Sequence, residues 1–579
     1  MNVLLVSINA KFIHTNLAIR SLKKYCESKI NINILTSEYT INQRTELIFR
    51  QILKQNPDVI GFSCYIWNYE IIKKLSKEIK KLRPETFIFF GGPEVSFTPN
   101  EVLSQNNIDC VLCGEGEVTF TNLVADLIAK KPINKIIYSK PCSLDDIAFV
   151  YEDGEFSQFK DRIIYYEASR GCPFNCQYCL SGAGISDTAI TNNNAITKKV
   201  RTLSLDRVFS DLKIFIDANV KQVKFVDRTF NFNKKYAMAI WKFISDNCHT
   251  DTNFHFEIAA ELIDDETLDF LSTVKKGLFQ FEIGVQSTNP ETLKAVKRNT
   301  DTVLLTKIVH KLQEKANIHL HLDLIAGLPF ENYSSFKQSF NFVHSLTPNQ
   351  LQLGFLKLLK GSGLYNDKQK YGLVCTDYAP YEVLKTDWLS YNEVLRLKMV
   401  EEMVELYYNS NRFDMTAKYL SGFFKTPFDF YESLADFYEQ NNFHLAPQNK
   451  VFYYTILYQF YCQIDSDKKD DESFFAFARF DCYSYEKAKK LPEWLPKSLN
   501  EKYKKNIYEF MDNPKNLCDI LNCDEEFLAQ KNLRSLFNST AHIEVFSQNP
   551  LTNEKALSAI LFNYDKSKHA SPQQIEINL

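Results

Sequence analysis

The sequence predicts an α/β chain in three parts: a doubly wound, Rossmann-like N-terminal domain, a central partial (β/α)6 TIM-like barrel, and a mainly helical C-terminal domain. Three observations predict it. Short apolar, β-rich runs alternate with amphipathic helical stretches over residues 1–135, a second alternation runs over 161–365, and beyond 365 it gives way to aromatic-rich helical segments. Residues 136–160 carry turn residues without sustained periodicity and form the expected linker, which leaves 366–579 as the C-terminal extension.

In the first part the strands are VLLVSI (3–8), NINILT (31–36), DVIGFSC (58–64), TFIFFGG (86–92) and DCVLCG (109–114). Between them, Ile71, Ile72, Leu75, Ile79 and Leu82 recur at helical spacing from Asn68 to Arg83. Continuous apolar strands separated by helices indicate a parallel sheet covered on both faces, whose ligands bind beyond the carboxyl ends of the strands. The second part has six strands: IIYYEA (163–168), QVKFVD (222–227), NFHFEIA (253–259), LFQFEIG (278–284), HLHLDLIAG (319–327) and QLQLGFL (350–356). Chemistry-bearing residues at their ends favour a barrel over a further open sheet. In the third part Trp388 to Tyr408 is the clearest helix, with Val394, Leu397, Val400, Val404 and Tyr407 near one face.

Composition sets the class. The chain has 579 residues, 45% of them apolar and 24% charged, enough for several domains with cores of their own. Lys and Arg number 68 against 71 Asp and Glu, and this balance disfavours a nucleic-acid partner, which requires a clustered basic excess. Fourteen Cys are too few for a disulfide scaffold, and most, such as Cys26, Cys64 and Cys110, lie among apolar neighbours. The N-terminus has no basic segment ahead of a long apolar run, and no stretch approaches the ~18 apolar residues of a membrane span. A reducing, cytoplasmic setting without a membrane partner is expected.

One cysteine cluster stands apart. After the first strand of the second part comes EASRGCPFNCQYCLSG, which places Cys172, Cys176 and Cys179 in a C-x3-C-x2-C array on a loop. Gly171 and Pro173 shape the loop, and Gly182 and Gly184 give close backbone passage on its far side. A structural zinc site normally takes a fourth Cys or His nearby, and none follows within reach. Three thiolates without a fourth suit a 4Fe-4S cluster that leaves one iron open to a ligand. The plainer alternative is three free or zinc-bound thiols on a surface loop.

The C-x3-C-x2-C array with Tyr178 just before its third Cys resembles the signature of the radical S-adenosylmethionine (SAM) superfamily. The resemblance implies a cluster whose open iron chelates SAM and whose electron cleaves it to a 5′-deoxyadenosyl radical. The later strands agree in order. FVDRTFN (225–231) puts Asp227 and Arg228 where the family contacts the methionine amino group and carboxylate. Glu257 or Glu261 resembles the carboxylate that binds the ribose hydroxyls, and Gln286 and Ser287, after Gly284, match the family's G-x-Q-S run. DLIAGLPFE (323–331) resembles the strand whose backbone meets adenine, with Gly327 and Leu328 in that place. The resemblance covers about residues 160 to 360.

The first domain has glycines and acidic residues at two strand ends, FFGGPEVSFTPNE (89–101) and CGEGEVTF (113–120). Gly91 and Gly92 permit close backbone approach, and Gly114, Glu115 and Gly116 precede a helix whose first N–H groups face the crevice. Two tight turns in an ordinary doubly wound domain are the plainer reading of each alone. Together, ahead of the cysteine triad, they resemble the cobalamin-binding domain of cobalamin-dependent radical SAM proteins. Many such domains carry a D-x-H-x-x-G loop whose His ligates cobalt. Here the loop is SINAKFIHTN, so His14 lacks the flanking Asp and Gly, and either cobalt ligation or packing is open to it. Ser63, at the end of the third strand, is placed for corrin contact or packing.

These resemblances imply a cobalamin-dependent radical SAM enzyme, a methyltransferase acting on an unactivated carbon. A rearrangement, oxidation or cyclisation without methyl transfer is the alternative within the same fold, and a cobalamin or redox sensor is the non-catalytic one. The expected partners are a small-molecule or peptide substrate and an external electron donor of flavodoxin or ferredoxin type. Arg479, Phe480, Asp481 and the Leu491 to Leu495 stretch resemble an uncharacterised extension of some such proteins.

Overall fold

Val3, Leu4, Leu5, Val6 and Ile8 are all buried in β1 (Val3–Asn9), so both faces of this strand need cover. The computed structural model supplies it. In this structure β1 lies in a six-stranded sheet with β2 (Ile34–Thr40), β3 (Val59–Ser63), β4 (Phe87–Gly91), β5 (Cys110–Cys113) and β6 (Ile136–Tyr138), in the order β2-β1-β3-β4-β5-β6. Every pairing is parallel. Leu4, Val6 and Ile8 pack with Ile52, Ile72 and Ile79 from the helices Thr45–Lys54 and Tyr69–Leu82. Val3 and Leu5 pack on the opposite face with Ile19 and Phe120 from Leu17–Lys29 and Glu117–Ile128. The strand order reverses beside β1, which opens a crevice above the carboxyl ends of β1 and β3. β6 falls inside the segment expected to be linker, because three residues carry no readable periodicity.

The structure describes residues 1–152, 154–182, 200–467, 469–521, 528, 532–564, 571–575 and 577. They form two compact units, Met1–Val394 and Leu395–Leu579.

The second sheet begins at β7 (Ile163–Tyr166). A short ribbon of β8 (Ser169–Arg170) and β9 (Arg201–Thr202) follows, then β10 (Gln222–Phe225), β11 (Asn253–Ile258), β12 (Phe279–Gln286), β13 (His319–Ala326) and β14 (Gln350–Phe355). The order is β7-β10-β11-β12-β13-β14, all parallel, and among the described residues β7 and β14 do not pair, so the barrel is partial. Side chains alternate along each strand. Phe254, Phe256, Phe279 and Phe281 are buried on the outer face, where Trp241 of the helix Lys234–Asn247 packs on Phe256 and Phe281. The inner face carries Lys224, His255, Glu257, Glu282, His321 and Asp323, which gives the barrel a polar lumen.

Residues 366–394, expected in the extension, belong to the first unit; β15 (Val374–Cys375) pairs with β16 (Val383–Lys385), and Tyr371 and Val383 share a core with Leu328 and Leu356. The second unit is mainly helical, as expected. It contains Asp414–Ser421, Pro427–Gln440, Lys450–Gln463 and Asp471–Tyr485, and adds an antiparallel sheet of β17 (Ala541–Phe546), β18 (Ser558–Asn563) and β19 (Ser571–Ile575). Arg479 and Asp481 are structural here. Arg479 pairs with the fully buried Glu544 at 3.0 Å, and Asp481 accepts the backbone N–H groups of Met415 and Thr416. No helix among the described residues is long and apolar enough to cross a membrane.

Candidate functional site

The cysteine loop leaves β7 through Gly171, whose φ of +106° is open chiefly to glycine. Its base is pinned by two backbone bonds, Gln177 N–H to the Val296 carbonyl and Leu364 N–H to the Gln177 carbonyl, both 2.9 Å. Cys172 Sγ lies 3.5 Å from Thr229 Oγ1, and burial pushes its thiol up, with Cys176 and Cys179 near enough to add to the shift. Arg298 Nη1 donates to Cys176 Sγ at 3.9 Å and to the Tyr178 hydroxyl at 3.4 Å, while its Nη2 donates to the Gly284 carbonyl. A cation at the thiols is what a thiolate-held, net-negative group requires. Gly184 lies outside the described residues.

The strand-end residues divide into two groups. Arg228 is accessible to solvent yet has protein on nearly every side, as a group lining an enclosed space must; it faces Glu257, Cys179, Tyr65 and Glu167. Glu257 is half-buried, and burial raises its carboxyl above the usual range despite Arg228. Gln286 sits at a bulge with φ +70°; its amide lies over Gly284, where a Cβ would come within 2.2 Å of Nε2, and its buried Oε1 has no hydrogen-bond partner. Glu261 is close enough to Arg298 to favour the guanidinium's charge. These side chains remain available to a ligand.

The second group is committed within the protein. Asp227, 1% exposed, accepts the Ala168 N–H at 3.0 Å and the Ser169 hydroxyl, so it braces the approach to the cysteine loop; burial pushes its carboxyl up to about 7. Ser287 is fully buried and donates to Glu331 Oε1 at 2.7 Å, which Ser339 also binds. Leu328 is core, and Gly327, at φ +90°, leaves room for Val383, which a Cβ would meet at 2.7 Å.

The N-terminal domain meets the barrel through the carboxyl ends of its strands. His14 Nδ1 lies 2.9 Å from the Tyr165 hydroxyl on β7, and burial, with Lys11 and Lys224 nearby, lowers the pKa of the imidazole. Glu115 and Glu117 bind Arg170 on β8 at 3.0 and 2.6 Å, and Glu115 also binds Arg201 on β9. Glu94 accepts from the Tyr381 hydroxyl, and Glu101 pairs with Lys360 at 3.0 Å. Gly92, at φ +113°, lies so close to Cys64 that a Cβ would stand 2.5 Å from its carbonyl oxygen, and at Gly116 a Cβ would meet Leu22 at 2.7 Å. Gly114 receives Ser96 Oγ as acceptor of its N–H at 3.1 Å, whereas Gly91 has only ordinary contacts and Ser63 is 8% exposed. Beside the crevice Phe12, Ile13 and Trp67 are exposed at 66, 40 and 42%, and Trp67 stacks on Tyr65 at 4.5 Å. Such an apolar rim suits a large flat ring, and the three thiols with Arg228, Gln286 and Arg298 suit a cluster and a zwitterionic ligand.

Sequence reasoning missed Arg170, Tyr165, Arg298 and the lumen cluster. Only the last had a signal, the period-two polar pattern of His319, His321 and Asp323 on an otherwise apolar strand.

Known proteins agree with this geometry. The B12 binding domain family model matches residues 3–124, the Radical SAM superfamily model 166–343, and a family described as Protein of unknown function (DUF4080) 369–562. The 2-(S-pantetheinyl)-carbapenam-3-carboxylate methyltransferase of Streptantibioticus cattleyicolor is 23% identical over 49% of this chain and 44% of its own length. An uncharacterized methyltransferase of Pyrococcus horikoshii is 24% identical over 55% of this chain and 71% of its own. The chain thus spans under half of the first of these relatives. The cobalamin-dependent S-adenosylmethionine radical enzyme OxsB, solved with aqua-cobalamin, shares the fold at a TM-score of 0.53 and 15% identity, over 93% of this chain and 81% of that one. The chain thus carries a B12 binding domain and a Radical SAM domain, which give it cobalamin, a 4Fe-4S cluster and SAM as cofactors, followed by a DUF4080 region.

Proposed function

We propose that the chain is a radical SAM methyltransferase that alkylates an unactivated carbon of a small-molecule or peptide substrate. The observation that carries this reading is Arg228. It is an accessible cation beside Cys179 and Glu257, and Tyr65 of the cobalamin-type domain faces it. Bound there, the cluster and SAM supply a 5′-deoxyadenosyl radical and cobalamin supplies a methyl group. Cys172, Cys176 and Cys179 hold the cluster, and Arg298 balances its charge.

Arg228 pairs with the SAM carboxylate. Glu257 or Glu261 accepts from the ribose hydroxyls, Gln286 turns its free Oε1 to the ligand, and the backbone at Gly327 and Leu328 borders adenine. Asp227 and Ser287 act through the loops they brace. Ser63, Gly91, Gly92, Gly114 and Gly116 border the corrin, and His14 and Glu115 serve the interdomain contact. Residues 1–135 form the cobalamin module and 161–365 the radical module. The electron comes from an external donor of flavodoxin or ferredoxin type.

The test is anaerobic incubation of reconstituted protein with SAM and a reductant. Wild type yields 5′-deoxyadenosine and Cys176→Ala yields none; a wild type without cleavage overturns the enzyme reading. A product heavier by one methylene unit supports methyl transfer, and cleavage with an unchanged mass removes it.

A further inference from the structure

The inner faces of β10 to β13 bring together groups that neither the cysteine triad nor the strand-end residues use. A ring nitrogen of His321 and one carboxylate oxygen each of Asp323 and Glu282 all lie within 4.8 Å of one another. His321 and Asp323 approach to 3.1 Å, yet Nε2 and Oδ1 are both buried without a hydrogen-bond partner, since proximity here comes without alignment. His255 repeats the pattern: its Nε2 is 3.0 Å from Glu282 Oε2 and is also unpartnered. Both rings are more than nine-tenths buried, at 7% and 6% exposure. A buried imidazole nitrogen without a partner costs about 1–3 kcal/mol, and two of them beside two carboxylates call for a common partner.

We propose that the barrel lumen holds a mononuclear divalent transition-metal ion, bound by His321 Nε2, Glu282 and Asp323, with His255 Nε2 adjoining. The spacing suits it. Two ligand atoms each ~2.1 Å from one ion and at right angles stand ~3 Å apart, the separation of His321 Nε2 from Asp323 Oδ1. Negative charge is in excess. Lys224 Nζ, 3.0 Å from Glu282 Oε2, stands against one of the two carboxylates. Imidazole with carboxylates selects Zn²⁺, Fe²⁺, Mn²⁺ or Co²⁺ over Ca²⁺ and over the thiolate-bound cluster. The site uses no cysteine and is independent of the 4Fe-4S centre.

Mn²⁺ is the probe, because it avoids thiols and its free aqueous form has a distinct EPR signal. The holoenzyme, stripped of loose metal with a chelator, is held with an oxidised cluster and cob(III)alamin, both EPR-silent, and titrated without SAM. Wild type removes one Mn²⁺ per chain from the free signal. His321→Ala and the isosteric Asp323→Asn each weaken binding by about 10–100-fold. The exposed His310→Ala binds as wild type does. Cluster absorption in each variant reports folding, and Asp323→Asn carries the test if His321→Ala misfolds. A wild type that leaves the free signal unchanged, or folded variants that bind as wild type, overturns the site. SAM cleavage, measured separately, leaves this outcome untouched.

Discussion

Replacing Arg170 with Met should loosen the contact between the N-terminal domain and the barrel more than any other single ion-pair change. Arg170 binds Glu167 through Nε at 2.8 Å and Glu115 and Glu117 through its two Nη atoms. Glu117 is 4% exposed, and burial alone would raise its carboxyl pKa; Arg170 and the Ser21 hydroxyl instead hold it at about 2, against 4.5 unperturbed. At about 1.4 kcal/mol per unit this difference is worth about 3 kcal/mol, at the low end of the ~3–5 kcal/mol lost when one partner of a buried pair is removed. Because the pKa is depressed on folding, the stabilisation is complete above pH 4.5 and disappears as pH falls towards 2. Hydrogen exchange of the helix Glu117–Ile128 and the β8–β9 ribbon reads this contact locally, which suits a chain of two units. Arg170→Met should lose protection at neutral pH, and Glu117→Gln added to it should recover about 1–2 kcal/mol by removing the stranded charge. Unchanged protection in Arg170→Met, or no recovery in the double variant, would refute the reasoning.

Three further outcomes follow from the same geometry. Glu331, fully buried beside Ser287 and Ser339, is pushed up to about 7 by burial, so its contribution to stability falls as pH rises from 4.5 through 7. Glu331→Gln keeps the acceptor for both hydroxyls and should flatten the melting temperature across that window; a wild-type slope in the variant sinks the assignment. Gly92→Ala forces a Cβ to 2.5 Å from the Cys64 carbonyl at φ +113°, and at about 1–3 kcal/mol of strain it should lower the melting temperature and cobalamin retention together. Arg228→Met should weaken SAM binding by about 10–100-fold in equilibrium dialysis, the value of a charged hydrogen bond of about 1.5–3 kcal/mol, while leaving the melting temperature nearly unchanged. Equal affinity would remove Arg228 from the site.

Strands with long apolar runs were legible in the sequence. All six barrel strands fall where period and composition place them, and the helix expected from Asn68 to Arg83 spans Tyr69–Leu82. β6 and β15 to β19 were not legible. The first is too short to show a period, and β17 to β19 follow a long helical stretch without the β/α alternation that marked the other strands. The site followed the same rule. The cysteine triad is a local spacing and could be read. Arg298 reaches Cys176 from 122 positions away, and no local pattern foretells it.

The polar residues that most resembled cofactor ligands in the N-terminal domain have other partners. His14 and Glu115 stand at the ends of β1 and β5, where a ligand would be met, yet Tyr165 and Arg170 of the barrel take them first. A strand end facing a second domain is as good a docking point as a cofactor site, since the same crevice geometry exposes the same groups to whichever partner is nearer. The large apolar side chains exposed beside that crevice are Phe12, Ile13 and Trp67. We expect the corrin to be recognised by ring contact and backbone N–H groups. A spectrum of bound cob(II)alamin should show no nitrogen hyperfine splitting from the protein. A nitrogen splitting lost in His14→Ala would return the cobalt to that residue.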